Sequence, residues 1–207
     1  MTSSHADHPA RPMSLTTLHA GRGAKAAHAR QALARGGLRR EATHLETACD
    51  VLRHEKAQRV LVLSLDSGQA AAGRLHEEGL DVAAVDCAAS AVNPARIGLR
   101  KVGLETLASE PMAFVRQAPS ASFDALLADV QGATGAPDAY FAAEFWEDVK
   151  RVLRRGGLVL VCVSDELHAV RLWGPFQRAL ASAGFTAMVV SERYACGSRL
   201  LVTTRAR

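Results

Sequence analysis

The sequence predicts an α/β domain: a doubly wound, mostly parallel seven-stranded sheet with helices on both faces and a C-terminal antiparallel hairpin. Three observations carry this. From Thr43 onward, short apolar runs of strand length alternate with segments of helical periodicity. Strands joined through helices imply parallel pairing with helices packed on the sheet. The last two strand-like runs are separated by a short Ala-Cys-Gly-Ser turn, as in a hairpin.

The elements follow in order. Thr43 and Glu46 make the S/T-x-x-E capping-box pattern, and Leu45, Ala48, Cys49 and Leu52 recur at helical spacing, so a helix should run to about Lys56. Arg59 to Leu65 (RVLVLSL) is a first strand. Gln69 to Glu78 reads as a helix ending at Gly79. Asp81 to Val85 is a second strand, closed by Asp86. Ala88 to Gly98 is a weak helix disturbed by Pro94. Val102 to Ala108 is a third strand, Pro111 to Gln117 a short helix, and Phe123 to Val130 a fourth strand. Ala139 to Arg155 reads as a long helix with Phe141, Phe145, Val149 and Val152 on one face, stopped by Gly156 and Gly157. Leu158 to Val163 is a fifth strand. Pro175 suits the first position of a helix reaching Ala183. Phe185 to Tyr194 and Arg199 to Thr204 form the closing pair.

A chain of 207 residues with 48% apolar and 22% charged residues is one globular domain, or one domain with an arm. Aromatics are 5%, so the core must be built from Leu, Val and Ala. No apolar run approaches the ~20 residues of a membrane span, and no secretory apolar region opens the chain. Cys49, Cys87, Cys162 and Cys196 stand far apart, which argues against a zinc site or a disulfide framework and for a reduced, cytoplasmic setting. The histidines His5, His8, His19 and His28 are too irregular for a metal site.

The net charge of +4 is uneven. Residues 1–40 carry seven basic residues against one acid, +6, which leaves −2 for the rest. The division expected is a basic, flexible extension over 1–40, with a short helix around Ala24 to Leu33, and a folded domain over 41–207. Arginine is 21 of the 25 cations, a choice suited to phosphate or carboxylate partners. No aromatic residue interleaves with the arm's arginines, so nucleic acid is not the expected partner. An arm-based nucleic-acid reading would predict affinity that falls steeply with salt.

Open α/β sheets bind ligands at the carboxyl ends of their strands, where strand order reverses. The loop after the first strand reads Ser64-Leu65-Asp66-Ser67-Gly68-Gln69. It is neither G-x-G-x-x-G nor a P-loop, so a nicotinamide, flavin or nucleoside-triphosphate site is poorly supported. Asp86 ends the second strand, where a carboxylate can accept from both ribose hydroxyls of a nucleoside.

Three segments resemble the class I S-adenosylmethionine-dependent transferases, in particular their spermidine synthase-like branch. They are RVLVLSLDSGQ, EPMAFVRQ (Glu110 to Gln117), and the long run from Phe123 to Val163 with its EFW and Gly-Gly strand entry. The resemblance covers about Thr43 to Arg205 and implies a Rossmann-like methyltransferase fold. It implies that Ser64, Asp66 and Gly68 pass the amino-acid portion of S-adenosylmethionine or its decarboxylated form. It further implies that Asp86 holds the ribose, Glu110 accepts from the adenine amino group, and Asp129 orients and helps deprotonate an attacking amine.

The sequence also departs from that branch. Ser64 and Asp66 stand at glycine positions, and a side chain at a left-handed position would cost about 1–2 kcal/mol. Gly132 stands where a second acid follows the catalytic one, and the N-terminal β-rich domain of true spermidine synthases has no counterpart. Asp138 and Glu144 are more distant acids. The leading expectation is therefore a methyl or aminopropyl transferase acting on a small-molecule nucleophile. The alternative is a cofactor-free relative serving as a binding or regulatory subunit, as a homodimer or with an acidic protein partner. His168 and Tyr140 are weighed as neighbours of the cleft. Cys162, Phe145, Trp146 and Trp173 are read as packing residues.

Overall fold

The capping-box pattern forms as written. The Thr43 hydroxyl accepts from the Glu46 N–H at 3.2 Å, and the Glu46 carboxylate accepts from the Thr43 N–H at 2.7 Å. This satisfies two of the amide groups that a helix start leaves unpaired. A computed structural model describes residues 16–17, 43–63, 65–86, 100, 103–104, 106–130, 138–164, 173–185, 189–190 and 198–205.

In chain order the elements are β1 (Thr16–Thr17), α1 (His44–His54), β2 (Arg59–Leu63), α2 (Leu65–Glu77), β3 (Asp81–Asp86), β4 (Thr106–Ala108) and α3 (Pro111–Gln117). Then come β5 (Phe123–Val130), a 3-10 turn (Asp138–Phe141), α4 (Ala143–Val152), β6 (Leu153–Ser164), α5 (Trp173–Ser182), β7 (Val189–Val190) and β8 (Ser198–Thr204). The strands form one sheet in the order β1-β7-β8-β6-β5-β2-β3-β4. Strands β2 to β6 run parallel, and β8 lies antiparallel between β6 and β7. The doubly wound parallel sheet with its antiparallel tail is thus present. It has eight strands where seven were expected, because Thr16–Thr17 of the extension pairs with Val189–Val190 at the edge.

Alternation along each strand builds two cores. Val60, Val62, Leu127, Leu158, Leu160 and Cys162 pack with Ala48, Val51 and Leu52 of α1 and Ala71, Ala72 and Leu75 of α2. Leu61, Leu63, Val85, Leu126, Val159 and Val161 pack under α3, α4 and α5 on the other face. The second core holds the large aromatics: Tyr140, Phe145, Trp146, Phe176 and Phe185 are fully buried. Trp146 meets Phe145, Phe176 and Phe185 edge to face at centroid distances of 5.0, 5.7 and 6.4 Å.

Several boundaries differ from the sequence reading, each for a physical reason. β2 ends at Leu63, not Leu65, and α2 begins at Leu65, not Gln69. Gly68 is therefore helical; it costs the helix about 1 kcal/mol relative to Ala, which burial of Ala71, Ala72 and Leu75 outweighs. The expected helix over Ala139 to Arg155 is divided at Ala142, which is extended (φ −96°, ψ 131°), and it stops at Val152. Leu153 is already in the sheet, paired with Phe123, and the register shift to Leu158–Ala125 absorbs Arg154 to Gly157. The Gly-Gly pair thus serves a bulge rather than a helix stop. The strand expected from Val102 is described only over Thr106–Ala108. The last helix starts at Trp173, with Pro175 in its first turn, where the missing N–H is harmless. The expected elements at 24–33 and 88–98 lie outside the described residues, as do His168 and Gly132.

Candidate functional site

The strand order reverses around β2, which pairs with β3 on one side and β5 on the other. The crevice such a reversal creates opens at the carboxyl ends of the strands. Register sets the residues there. Leu63 is level with both Val85 and Ala128. Asp86 and Asp129 therefore stand one residue farther along, at one level, on the two strands that flank β2. Two strand spacings separate them, roughly 10 Å. Asp129 is paired with Cys162 of β6, and Asp86 with Ala108 of β4.

Glu110 follows β4 by two residues and is the N-cap of α3. It is exposed. Its Oε2 accepts from the Ala113 N–H at 2.8 Å, and its carbonyl accepts from the Phe114 N–H at 3.0 Å. Pro111, whose missing N–H is harmless at a helix start, and Val115 are buried and seat α3 on the sheet. Among the described residues nothing occupies the second carboxylate oxygen of Glu110. Glu110, Asp86 and Asp129 thus lie in that order along one sheet edge, on the β4, β3 and β5 sides.

The junction between β2 and α2 departs from what the glycine-rich pattern implies. One residue, Ser64, stands between strand and helix, and it lies outside the described residues. Asp66 and Gly68 occupy the second and fourth positions of α2. Asp66 is helical, so the left-handed backbone penalty does not arise at this residue. Beyond β5, the exposed Asp138 opens the 3-10 turn and the exposed Glu144 lies in the first turn of α4. Tyr140 is fully buried, with its ring against Phe145 and Trp146 at centroid distances of 5.2 and 6.0 Å. Phe145 and Trp146 are core, as expected; Cys162 is buried in β6, and Trp173 stacks on Phe176 at 5.8 Å.

Two structural contacts escape sequence reasoning. The Trp146 indole Nε1 donates to the Tyr140 carbonyl at 2.9 Å and so ties the 3-10 turn to α4. The Arg151 guanidinium of α4 donates to the carbonyls of Val115, Ala118 and Arg116 at 2.7, 2.7 and 3.0 Å, closing the C-terminus of α3. Its partners are more than 30 residues away in sequence, so no local pattern announces it.

Burial works to raise the Asp124 carboxyl, but the Arg59 and Gln58 N–H groups and the Arg154 guanidinium outweigh it and hold it below the usual range. These contacts, at 2.9, 3.0 and 2.8 Å, knit the amino ends of β2, β5 and β6. A small, open-sided cavity beside them, about 90 Å³, is lined by Lys56, Asp124 and Arg154 among others. It opens at the edge opposite the crevice. No group of His, Cys, Asp and Glu that could hold a metal is found among the described residues. No described helix is long and apolar enough to cross a membrane.

No protein-family model and no curated protein sequence matches the chain. Solved structures do share its fold. The T. thermophilus 16S rRNA N2 G1207 methyltransferase RsmC, in complex with AdoMet and guanosine, aligns at TM-score 0.50 and 18% identity over 72% of this chain and 35% of its own. A spermidine synthase in complex with the transition-state analogue AdoDATO aligns at TM-score 0.53 and 14% identity over 72% of this chain and 55% of its own. The CurJ carbon methyltransferase aligns at TM-score 0.55 and 13% identity over 88% of this chain and 68% of its own. The chain therefore spans about a third of the first of these proteins and just over half of the second. Its fold is that of the class I S-adenosylmethionine-dependent methyltransferases, which the spermidine synthases share.

Proposed function

We propose that residues 41–207 form a transferase domain that moves a methyl or aminopropyl group from a sulfonium donor to a small nucleophile. The observation that carries this is the sequence of acids along one sheet edge: Glu110, Asp86, then Asp129. A nucleoside laid along that edge meets Glu110 with its base and Asp86 with its ribose, and its reactive end reaches the β5 side.

The residues present fit such a cofactor. Glu110 commits one oxygen to the Ala113 N–H and offers the other to an exocyclic amine. Asp86, at the end of β3, suits a pair of ribose hydroxyls. Asp66, being helical, carries no backbone objection to the turn before it. When bound, an S-adenosylmethionine-type cofactor supplies the electrophilic carbon. Asp129 orients the acceptor and takes its proton, since a protonated amine has no lone pair with which to attack. Holding the acceptor in line supplies most of the remaining rate. Asp138 and Glu144 add negative charge on the acceptor side, which favours a cationic amine.

Calorimetric titration with S-adenosylmethionine, S-adenosylhomocysteine and decarboxylated S-adenosylmethionine tests the reading, on the wild type and on Asp66→Gly. Micromolar binding by the wild type is expected, and the preferred donor chooses methyl or aminopropyl transfer. Binding gained only in Asp66→Gly would show a closed site and favour the cofactor-free binding subunit.

A further inference from the structure

We infer that Arg151, on α4, is a positioning residue that sets the base selectivity of the nucleoside site by fixing α3 from its far end. This rests on the reading of Glu110 given above. α3 has seven residues, too few to hold itself together in water. Its first end is Glu110, which caps the helix through one carboxylate oxygen and, on that reading, turns the other to the base. Its second end exposes the carbonyls that every helix leaves unpaired. Arg151 takes three of them, at Val115, Arg116 and Ala118, with one guanidinium.

The guanidinium is itself held. Its Nε donates to Asp148 Oδ1 at 3.3 Å, one turn back on α4, and Asp148 also stands 3.7 Å from Arg116. The backbone separately ties the connection between α3 and β5 to the end of α4: the Ala121 N–H donates to the Arg151 carbonyl at 3.0 Å and the Ser122 N–H to the Val152 carbonyl at 2.8 Å. These two bonds persist when the Arg151 side chain is removed. What the side chain adds is the registration of α3 against α4, and α4 is the helix whose Trp146 fixes the 3-10 turn on the acceptor side. One rigid helix thereby references both ends of the crevice. Losing the guanidinium frees α3 to fray from its C-terminus, and Glu110 then loses its fixed aim at an exocyclic amine.

The experiment compares S-adenosylhomocysteine with its purine analogue lacking the 6-amino group, by calorimetry, on wild type, Glu110→Gln, Arg151→Met and Arg151→Lys, with melting temperatures alongside. The wild type should prefer the amino-bearing ligand at least tenfold. Arg151→Met should bring that ratio to within threefold of unity, as Glu110→Gln does, while its affinity for the purine analogue changes less than threefold. Arg151→Lys, which keeps the charge and can satisfy one carbonyl, should fall between and remains readable if the methionine variant does not fold. A wild-type ratio retained in Arg151→Lys and Arg151→Met, or an equal loss for both ligands, overturns the positioning role and leaves the cofactor reading standing. A wild type that binds neither ligand overturns the cofactor reading, and the positioning role with it.

Discussion

Asp86 and Asp129 stand level on the two strands that flank β2, each one residue beyond the partners of Leu63. On the proposed reading they take separable roles, Asp86 toward the donor and Asp129 toward the acceptor. Asp86→Asn should weaken S-adenosylmethionine binding about 10- to 100-fold, the equivalent of one charge-assisted hydrogen bond. Asp129→Asn should leave that Kd within about threefold and lower turnover by about 10²–10⁴, the range of a positioned general base. Calorimetry and single-turnover kinetics read the two quantities apart. A binding loss in Asp129→Asn as large as in Asp86→Asn would move Asp129 from the acceptor to the donor.

Trp146→Phe should destabilise the domain by about 2–4 kcal/mol. The buried Tyr140 carbonyl loses its donor, which costs about 1–3 kcal/mol, and the smaller ring leaves a gap among Phe145, Phe176 and Phe185. Chemical denaturation measures the sum. A change below about 1 kcal/mol would mean that the 3-10 turn is held by other contacts.

The sheet and most helices were legible because burial here follows periodicity closely. β5 alternates between the two cores residue by residue, and α4 presents Phe145, Trp146, Val149 and Val152 to one face. Boundaries were less legible where tertiary pairing outvoted local chemistry. Gly68 looks like a loop residue and is helical; Leu153 looks helical and is claimed by Phe123. Thr16–Thr17 carries no strand signal of its own, and its pairing is with residues far along the chain. The placement of Asp86 and Asp129 near strand ends could be read, because topology fixes where strands end. The Arg151 clamp could not, since hydrogen bonds to main-chain carbonyls leave no pattern in side-chain identity.

Asp124 should dominate acid sensitivity at the amino edge. Its carboxyl lies below the usual range when folded, so its contribution is full above the unfolded value of ~3.9 and is lost as pH falls through the lower folded value. Asp124→Ala leaves the Gln58 and Arg59 N–H groups without their acceptor and should cost about 2–4 kcal/mol at pH 7. The gap between variant and wild type should narrow as pH approaches 2. Urea midpoints across that range provide the comparison, and a pH-independent gap would assign the loss to packing instead.

His44 should set the slope at mildly acid pH. Burial lowers the pKa of its imidazole, so the folded state keeps it neutral where the unfolded chain takes up a proton. Stability therefore holds above the unfolded value of ~6.5 and declines as pH drops from there toward the lower folded value. Melting temperature should fall from pH 7.5 to 5.5 in the wild type and fall less in His44→Gln. Parallel curves for the two proteins would place the sensitivity at another group.

Two glycines separate collision from backbone strain. Gly79 closes α2 in a Schellman arrangement, with the Gly79 N–H on the His76 carbonyl at 2.9 Å and the Leu80 N–H on the Leu75 carbonyl at 3.1 Å. Its φ is +87°, and a Cβ there would meet nothing within 4 Å, so Gly79→Ala should cost only the left-handed penalty, about 1–2 kcal/mol. Gly157 is different. A Cβ would lie 2.8 Å from the Arg154 carbonyl oxygen and 3.0 Å from that of Asp124, both main-chain atoms. Relief requires moving the bulge where β6 enters the sheet, which also carries the Arg205 N–H to Gly157 carbonyl bond at 2.8 Å. Gly157→Ala should therefore cost more than Gly79→Ala, about 3 kcal/mol or above, as overpacking against an unyielding neighbour does. Paired denaturation curves decide it. Equal costs would show that the bulge yields, and the register between β5 and β6 would then be set by the apolar pairs beyond Ala125 rather than by the glycine.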